Sequence, residues 1–125
     1  MSSAAIYIRT DEAGRLPEAE EQRERLRALA EERGHEVVAE YSDLAAPGYM
    51  LYHRDGLKAA IENIKESEDW EVLLTVEPEC ISETETSVHE FVHKFSLYNN
   101  RLESPRRSWD EYLAAMQDYR REMAR

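Results

Sequence analysis

Short apolar runs alternate along this chain with segments that have helical spacing, and no other feature constrains the fold more tightly. In chain order, strands are predicted at 4–9, 35–41 and 70–76, and helices at 17–33, 54–67, 85–98 and 109–125. The third strand is almost continuously apolar, which is typical of a parallel strand covered on both faces. Residues 99–107 leave room for one very short further strand. The alternation therefore predicts an α/β fold of three layers, with a mostly parallel β-sheet of three or four strands flanked by helices.

The size and the cysteine content narrow the class of protein. The chain has 125 residues, enough for one ordinary hydrophobic core. No apolar run approaches the roughly 20 residues of a membrane span, and the N-terminus lacks the basic flank and apolar stretch of a signal peptide. The single cysteine, Cys80, cannot form an internal disulfide. We therefore expect a cytoplasmic protein with no membrane partner.

The charge is strongly acidic and unevenly distributed. The chain has 16 Lys and Arg against 27 Asp and Glu, which gives a formal net charge of −11. Between Glu66 and His93 there are nine acidic residues and no Lys or Arg. Proteins bind nucleic acids mostly through Lys and Arg that neutralise phosphates, so direct DNA binding is not expected. An acidic DNA mimic, which would occupy a basic protein surface, is one alternative function for such a chain.

Polar side chains follow each of the three predicted strands. The strand ends read Arg9-Thr-Asp11, Tyr41-Ser-Asp43 and Val76-Glu-Pro-Glu79. In open parallel sheets, functional sites lie beyond the carboxyl ends of the strands, where these side chains would converge. Two interpretations stay open: an acidic site for a metal or cationic ligand, and polar loop ends that simply face water.

Several short segments occur in a fixed order over about residues 4–97. They are Tyr7-Ile-Arg9, Gln22, Gly34-His-Glu-Val-Val38, Tyr41-Ser-Asp43, Gly48 and Arg54-Asp-Gly-Leu57. In order and spacing they resemble the N-terminal catalytic domain of serine recombinases, the resolvases and invertases. The family pattern runs Y-x-R-V-S, Q, G-x-x-V, Y-x-D, S-G, R-P-G-L and L-D-R-L-x-R. The resemblance implies the family's α/β fold, a serine nucleophile that joins DNA, and arginines that hold the scissile phosphate.

The sequence departs from this pattern at the positions that carry the chemistry. The nucleophilic serine falls at Asp11, the serine of S-G at Pro47, and the two arginines of L-D-R-L-x-R at Cys80 and Glu83. A phosphoserine link needs a hydroxyl nucleophile, and phosphoryl transfer needs positive groups around the phosphate. Arg9 is expected to pair with Asp11. The sequence thus predicts a catalytically inactive domain whose degenerate site positions are Arg9, Asp11, Asp43, Arg54, Cys80 and Glu83.

Two of these degenerate positions carry further expectations. Arg54 is expected to form an ion pair with Asp43. Cys80 is an inert thiol in this interpretation, because neighbouring glutamates raise a thiol's pKa and so disfavour the reactive thiolate.

A zinc-peptidase motif competes with this interpretation. His89-Glu-Phe-Val-His93 is a literal H-E-x-x-H on a predicted helix, with Glu90 as the base and Glu111 as the natural third ligand. It makes a small zinc-dependent hydrolase an alternative function; otherwise no cofactor is expected. At about 100° per residue, however, the helix turns its apolar stripe toward the sheet. Both histidines are then predicted to point toward solvent or a partner.

The last predicted helix carries large side chains at spacings of three and four residues. They are Trp109, Tyr112, Leu113, Met116 and Tyr119. We divide the chain into an α/β domain at 1–107 and this amphipathic helix at 108–125, with no separate DNA-binding domain expected. One interpretation is that this helix packs on its own domain. In the recombinases, however, the corresponding helix is the dimerisation element, and aromatic residues and Met are favoured at interfaces. The leading hypothesis is therefore an inactive, stand-alone recombinase-like domain that acts through protein contact, with itself or with a related recombinase.

Overall fold

Nine elements follow one another with short connections in the computed structural model, which describes residues 2–44 and 53–124. They are β1 Ser2–Thr10, α1 Ala19–Arg33, β2 His35–Leu44, α2 Asp55–Glu66, β3 Val72–Leu74, a 3₁₀ turn Pro78–Cys80, α3 Glu85–Leu97, β4 Arg101–Glu103 and α4 Trp109–Met123. The family matches at Pro47 and Gly48 lie outside the described residues.

The four strands form one sheet in the order β2-β1-β3-β4, and every neighbouring pair is parallel. Side chains of β1 alternate between the two faces, as they must in a strand. Ala5 and Tyr7 pack into one buried cluster with residues of α2, α3 and α4, whereas Ile6 and Ile8 pack into a second cluster with α1. The predicted α/β architecture with helices on both faces is confirmed.

Several predicted boundaries shift. β2 continues to Leu44, three residues beyond its predicted end, because it stays paired with β1 up to Thr10. β3 is reduced to Val72–Leu74, because its partner β4 is only three residues long. The residues that flank β3, Trp70 and Val76, are buried without belonging to the strand. Trp70 and Val76 are apolar because they are buried. An apolar run in a sequence does not distinguish residues that are only buried from residues that pair within a sheet.

The end of α1 and the start of α4 lie next to residue types that commonly end or cap a helix. α1 ends before Gly34, whose φ of 72° is the left-handed conformation that glycine adopts without steric cost. α4 begins after Ser108, whose hydroxyl accepts the backbone N–H of Glu111 at 3.4 Å, as the side chain of an N-cap residue does. Among the described residues, no helix is long and apolar enough to cross a membrane.

Candidate functional site

Arg9 ends the buried part of β1, and its charge is neutralised within the chain. Its side chain is 1% exposed; one guanidinium nitrogen donates to the backbone carbonyl of Glu79 at 2.7 Å. A second nitrogen lies 2.5 Å from a carboxylate oxygen of Glu83, whose side chain is 39% exposed. Asp11, the expected partner, accepts the backbone N–H of Arg15 at 2.9 Å and so stabilises the turn after β1. Glu83 is therefore the solvent-exposed partner of this pair, since the arginine itself is buried.

Arg54 is the second buried arginine at this edge of the sheet. It is 2% exposed and donates to the backbone carbonyl of Cys80 at 2.9 Å. Its Nε is buried without a hydrogen-bond partner among residues 2–44 and 53–124. The 3₁₀ turn thus presents carbonyl oxygens to both arginines, at Glu79 to Arg9 and at Cys80 to Arg54. Where the family pattern places two more cations, this chain supplies hydrogen-bond acceptors.

Asp43 anchors the start of α2. One carboxylate oxygen accepts the backbone N–H of Gly56 at 2.7 Å, and the other accepts the N–H of Leu57 at 2.9 Å. The second oxygen also accepts the hydroxyl of Tyr7 at 2.7 Å, and burial together with this carboxylate raises the pKa of Tyr7 far above its ordinary value. The expected ion pair between Arg54 and Asp43 is not formed, because the carboxylate is engaged by three other donors.

Gln22 of α1 forms hydrogen bonds with the backbone of β1 at Arg9, from the other face of the sheet. Its amide nitrogen donates to the carbonyls of Arg9 at 2.6 Å and Pro17 at 2.7 Å, and its amide oxygen accepts the N–H of Arg9 at 3.2 Å. The side chain is fully buried. Gln22 therefore connects the first turn of α1 to β1 through hydrogen bonds with the backbone.

Cys80 is unsuited to serve as a replacement nucleophile. The thiol is fully buried, and its sulfur lies 3.9 Å from the amide oxygen of Gln22. Burial raises the pKa of the Cys80 thiol to about 11, and the charges of Glu77 and Glu79 act in the same direction. The thiol is therefore neutral near pH 7, as its sequence surroundings predict, although burial is the larger cause.

The open side of this site is acidic. A cavity of about 170 Å³ is lined by Asp11, Arg15, Leu16, Glu77, Glu79 and Glu83, so four carboxylates face one guanidinium. Within the described ranges 2–44 and 53–124, no three His, Cys, Asp or Glu side chains are grouped so as to hold a metal ion. The cleft thus combines a negative rim with two buried arginines that already have partners.

The sequence of this chain matches the model of a known protein family. The model of the resolvase N-terminal domain matches residues 4–124. The chain belongs to the resolvase N-terminal domain family. The resemblance read from Tyr7, Gln22, Asp43 and Arg54 is thereby confirmed. A search of curated proteins found no match.

Solved structures of serine recombinases share the fold. The N-terminal catalytic domain of TP901-1 integrase is 21% identical, with a TM-score of 0.79 over 97% of this chain and 98% of that one. A resolvase family site-specific recombinase from Streptococcus pneumoniae is 19% identical, with a TM-score of 0.74 over 99% and 91% of the two chains. The C-terminal catalytic domain of ISC1926 TnpA, an IS607-like serine recombinase, is 20% identical, with a TM-score of 0.69 over 82% and 66%.

The H-E-x-x-H histidines of this resolvase-family chain lie between two helices. His89 is buried, contrary to the predicted orientation toward solvent, and its ring packs against Tyr119 of α4 with centroids 4.7 Å apart. His93 is exposed, and its Nδ1 lies 2.7 Å from a guanidinium nitrogen of Arg120. The expectation failed for His89 because α4 crosses α3 and covers a side that an isolated helix would expose. Glu111, the suggested third ligand, is exposed and joins no metal group among the described residues.

The apolar stripe of α4 packs largely onto its own domain. Tyr112 and Met116 are buried in the cluster formed with α2 and α3, and the hydroxyl of Tyr112 lies 3.2 Å from that of Ser104. The other three stripe residues are half-buried: Trp109, Leu113 and Tyr119. Intramolecular packing therefore accounts for the middle of the stripe, whereas its ends keep exposed area.

Sequence reasoning missed the partners of the charged groups. Glu83 was recognised as a departure from the family pattern, but its contact with Arg9 joins segments 74 residues apart. The acceptor carbonyls of the 3₁₀ turn carry no side-chain signal at all. The contact of Arg120 with His93 was equally hidden, because it depends on how α4 lies across α3. Only the charge reversal at Glu83 offered a hint, since a carboxylate is a favourable partner for a buried arginine.

Proposed function

We propose that this resolvase-family domain does not cleave DNA and acts instead through contact with another protein, either a second copy of itself or a related recombinase. The observation that most directly supports this proposal is the ion pair between Arg9 and Glu83. A phosphate that approached Arg9 would have to displace a carboxylate that belongs to the same chain. Charge-assisted pairs of this kind are short and strong, so the internal carboxylate competes well with an external anion.

The position of the nucleophile supports the same proposal. Asp11 replaces the serine of the family pattern, and its carboxylate accepts the backbone N–H of Arg15. A carboxylate cannot form a phosphoserine, and the buried thiol of Cys80 is not a substitute. Around these groups the cleft is negative, which is the opposite of what a transferring phosphoryl group requires.

Anion binding tests the first part of the proposal. We expect the Glu83→Gln protein to bind inorganic phosphate about tenfold more tightly than the wild-type protein, because it frees Arg9 from its internal counter-charge. Phosphate titrations followed by NMR of the arginine side chains measure this directly. Glu79→Gln is the matched control: it removes the same charge from the same cleft, but the Glu79 side chain is exposed and the hydrogen bond from Arg9 goes to its backbone carbonyl, which the substitution keeps.

Two results would overturn this part. Equal phosphate affinity of the Glu83→Gln and Glu79→Gln proteins would show that the ion pair does not occlude Arg9. A covalent adduct between the wild-type protein and DNA, resistant to denaturation, would show that the domain retains strand-cleavage chemistry through another nucleophile.

The second part of the proposal, association, is supported by the ends of the α4 stripe. Met123 is 69% exposed, and Trp109 is half-buried at the other end of the helix. Large apolar side chains of this kind are enriched at protein interfaces. Removal of the whole helix is a poor test, because Tyr112 and Met116 belong to the core and their loss would unfold the domain.

Single substitutions on the exposed residues give a cleaner test. If α4 mediates self-association, Met123→Glu should weaken the dimer about tenfold, because burial of a charge opposes apolar contact. Sedimentation velocity over a concentration series measures this change. Val38→Glu is the control, since Val38 is 47% exposed on β2 and lies outside α4. Equal dimer dissociation constants for the two variants would contradict a role of α4 in self-association.

Among the described residues, no contact specifically supports either alternative function, the zinc hydrolase or the acidic DNA mimic. The zinc hydrolase lacks a grouped ligand set within the described residues. The acidic DNA mimic stays a prediction from the net charge.

A further inference from the structure

The two histidines of the H-E-x-x-H segment occupy the seam between α3 and α4, one helical turn apart. The ring of His89 packs against the ring of Tyr119 at a tilted interplanar angle of 56°, and His93 contacts Arg120, the next residue of α4. Each histidine therefore touches a different, adjacent residue of the same helix. Together with Thr86, Glu90, Met116 and Met123, they line a largely apolar groove of about 340 Å³ between α3 and α4.

His93 also contacts α4 through a hydrogen bond. An arginine guanidinium only donates hydrogen bonds, so Nδ1 of His93 is the acceptor in its contact with Arg120. Protonation at Nδ1 converts the acceptor into a donor and places a second positive charge against Arg120. The contact between α3 and α4 at this point then becomes repulsive.

The environment of His89 also favours the neutral ring. Its side chain is 7% exposed, and Nδ1 is buried without a hydrogen-bond partner among the described residues. Glu85 lies 3.5 Å from Nε2 but is 73% exposed, and its attraction for a protonated ring is outweighed by burial. Arg107, in the segment that leads into α4, opposes protonation further. Burial together with Arg107 lowers the pKa of His89 below its ordinary value of 6.5.

We propose that His89 and His93 form a pH-sensitive clamp, which holds α4 against α3 while both rings are neutral and loosens α4 when they are protonated. The charged and titratable groups that face the clamp are Glu85 and Glu90 on α3, Arg107 before α4, and Tyr119 and Arg120 on α4. This inference goes beyond the proposed function and does not depend on it, since it concerns packing within one chain.

The direction of the pH effect follows from linkage. His89 takes up a proton more readily when α4 is detached than when α4 covers it. The docked state is therefore fully favoured above the ordinary histidine pKa and loses stability as the pH falls through 6.5 toward the lowered value. Most carboxylates keep their charge over this pH range, so the loss of stability of the docked state is specific to histidine.

Hydrogen exchange of the wild-type chain at about pH 7.5 and about pH 5.5 tests the clamp. After correction for the intrinsic exchange rates, we expect the protection of α4 amides to fall about tenfold at the lower pH, while protection of α2 is unchanged. In the double variant His89→Phe, His93→Gln, which keeps the stacking and the acceptor without a titratable ring, α4 protection should not depend on pH. Removal of the exposed His53 by His53→Gln should leave the response intact.

Three outcomes would overturn the clamp. They are equal α4 protection at both pH values in the wild-type chain, a fall that persists in the double variant, and a fall of the same size in α2. Arg120→Gln gives a test that leaves the buried ring untouched. Because it removes the cation that faces His93, it should reduce the fall in α4 protection, and an unchanged fall would contradict the role of His93.

Discussion

Substitution of Asp43 by alanine is expected to lower the free energy of unfolding by about 4 kcal/mol. The carboxylate accepts the N–H groups of Gly56 and Leu57 and the hydroxyl of Tyr7, so its removal leaves three donors unsatisfied at once. Hydrogen bonds to charged groups contribute about 1.5–3 kcal/mol each, but neighbouring bonds in one network are not additive. The first turn of α2 also loses the negative charge that its N-terminus favours.

Urea unfolding followed by circular dichroism measures this loss. Asp11→Ala is the matched control, because that carboxylate accepts a single backbone N–H on the exposed turn after β1. Its loss should cost about 1 kcal/mol or less. If the two substitutions destabilised the domain equally, Asp43 would not anchor α2, and its presence in the family pattern would need a functional explanation in this chain.

The contrast between Asp43 and Asp11 reflects a wider division among the site residues. The positions that match the family pattern hold the sheet edge together: Gln22 binds the backbone of β1, and Asp43 binds the start of α2. Two of the positions that depart from it, Asp11 and Glu83, line the open cleft, whereas a third, Cys80, is buried. A domain that lost strand cleavage but kept its fold would retain the first group and be free to change the second. This division supports the proposed function on structural grounds.

The sequence predicted the architecture well because each strand and helix has a pattern of residue types that is visible over a short stretch of chain. The apolar runs and the helical spacings are each visible within one strand or helix, and the elements that they predict occur in the predicted order. The pattern of strand ends placed Arg9 at the carboxyl end of the first strand, where its side chain is buried. Elements and their order could therefore be predicted without any long-range information.

The predictions that failed concern contacts between elements. The orientation of His89 was predicted from the apolar stripe of α3 alone, yet α4 decides whether that face is covered. The ion partner of Arg54 was sought in the nearest carboxylate along the predicted strand ends, yet its acceptor is the carbonyl of Cys80. Partner choice depends on packing angles and on backbone acceptors, and neither has a signature in residue type.

Substitution of Gly56 by alanine should lower the free energy of unfolding by about 3 kcal/mol. A β-carbon at this position would lie 2.9 Å from a carboxylate oxygen of Asp43 and closer still to the backbone carbonyl of Ser42. The carbonyl belongs to β2 and cannot move aside without shifting the strand. Absence of a side chain at Gly56 therefore lets α2 begin close enough to β2 for its N–H groups to reach Asp43.

Gly34→Ala separates this collision from ordinary glycine effects. At Gly34 a β-carbon meets nothing within 4 Å, but the φ of 72° is unfavourable for alanine, so a loss of about 1 kcal/mol is expected. At Gly56 the helical propensity of alanine would by itself be favourable by up to about 1 kcal/mol. Thermal unfolding of both proteins compares the two effects. A Gly56→Ala protein at least as stable as the Gly34→Ala protein would mean that α2 can withdraw from β2. The contact between Asp43 and the start of α2 would then be too loose to hold Arg54 in its buried position beneath the cleft.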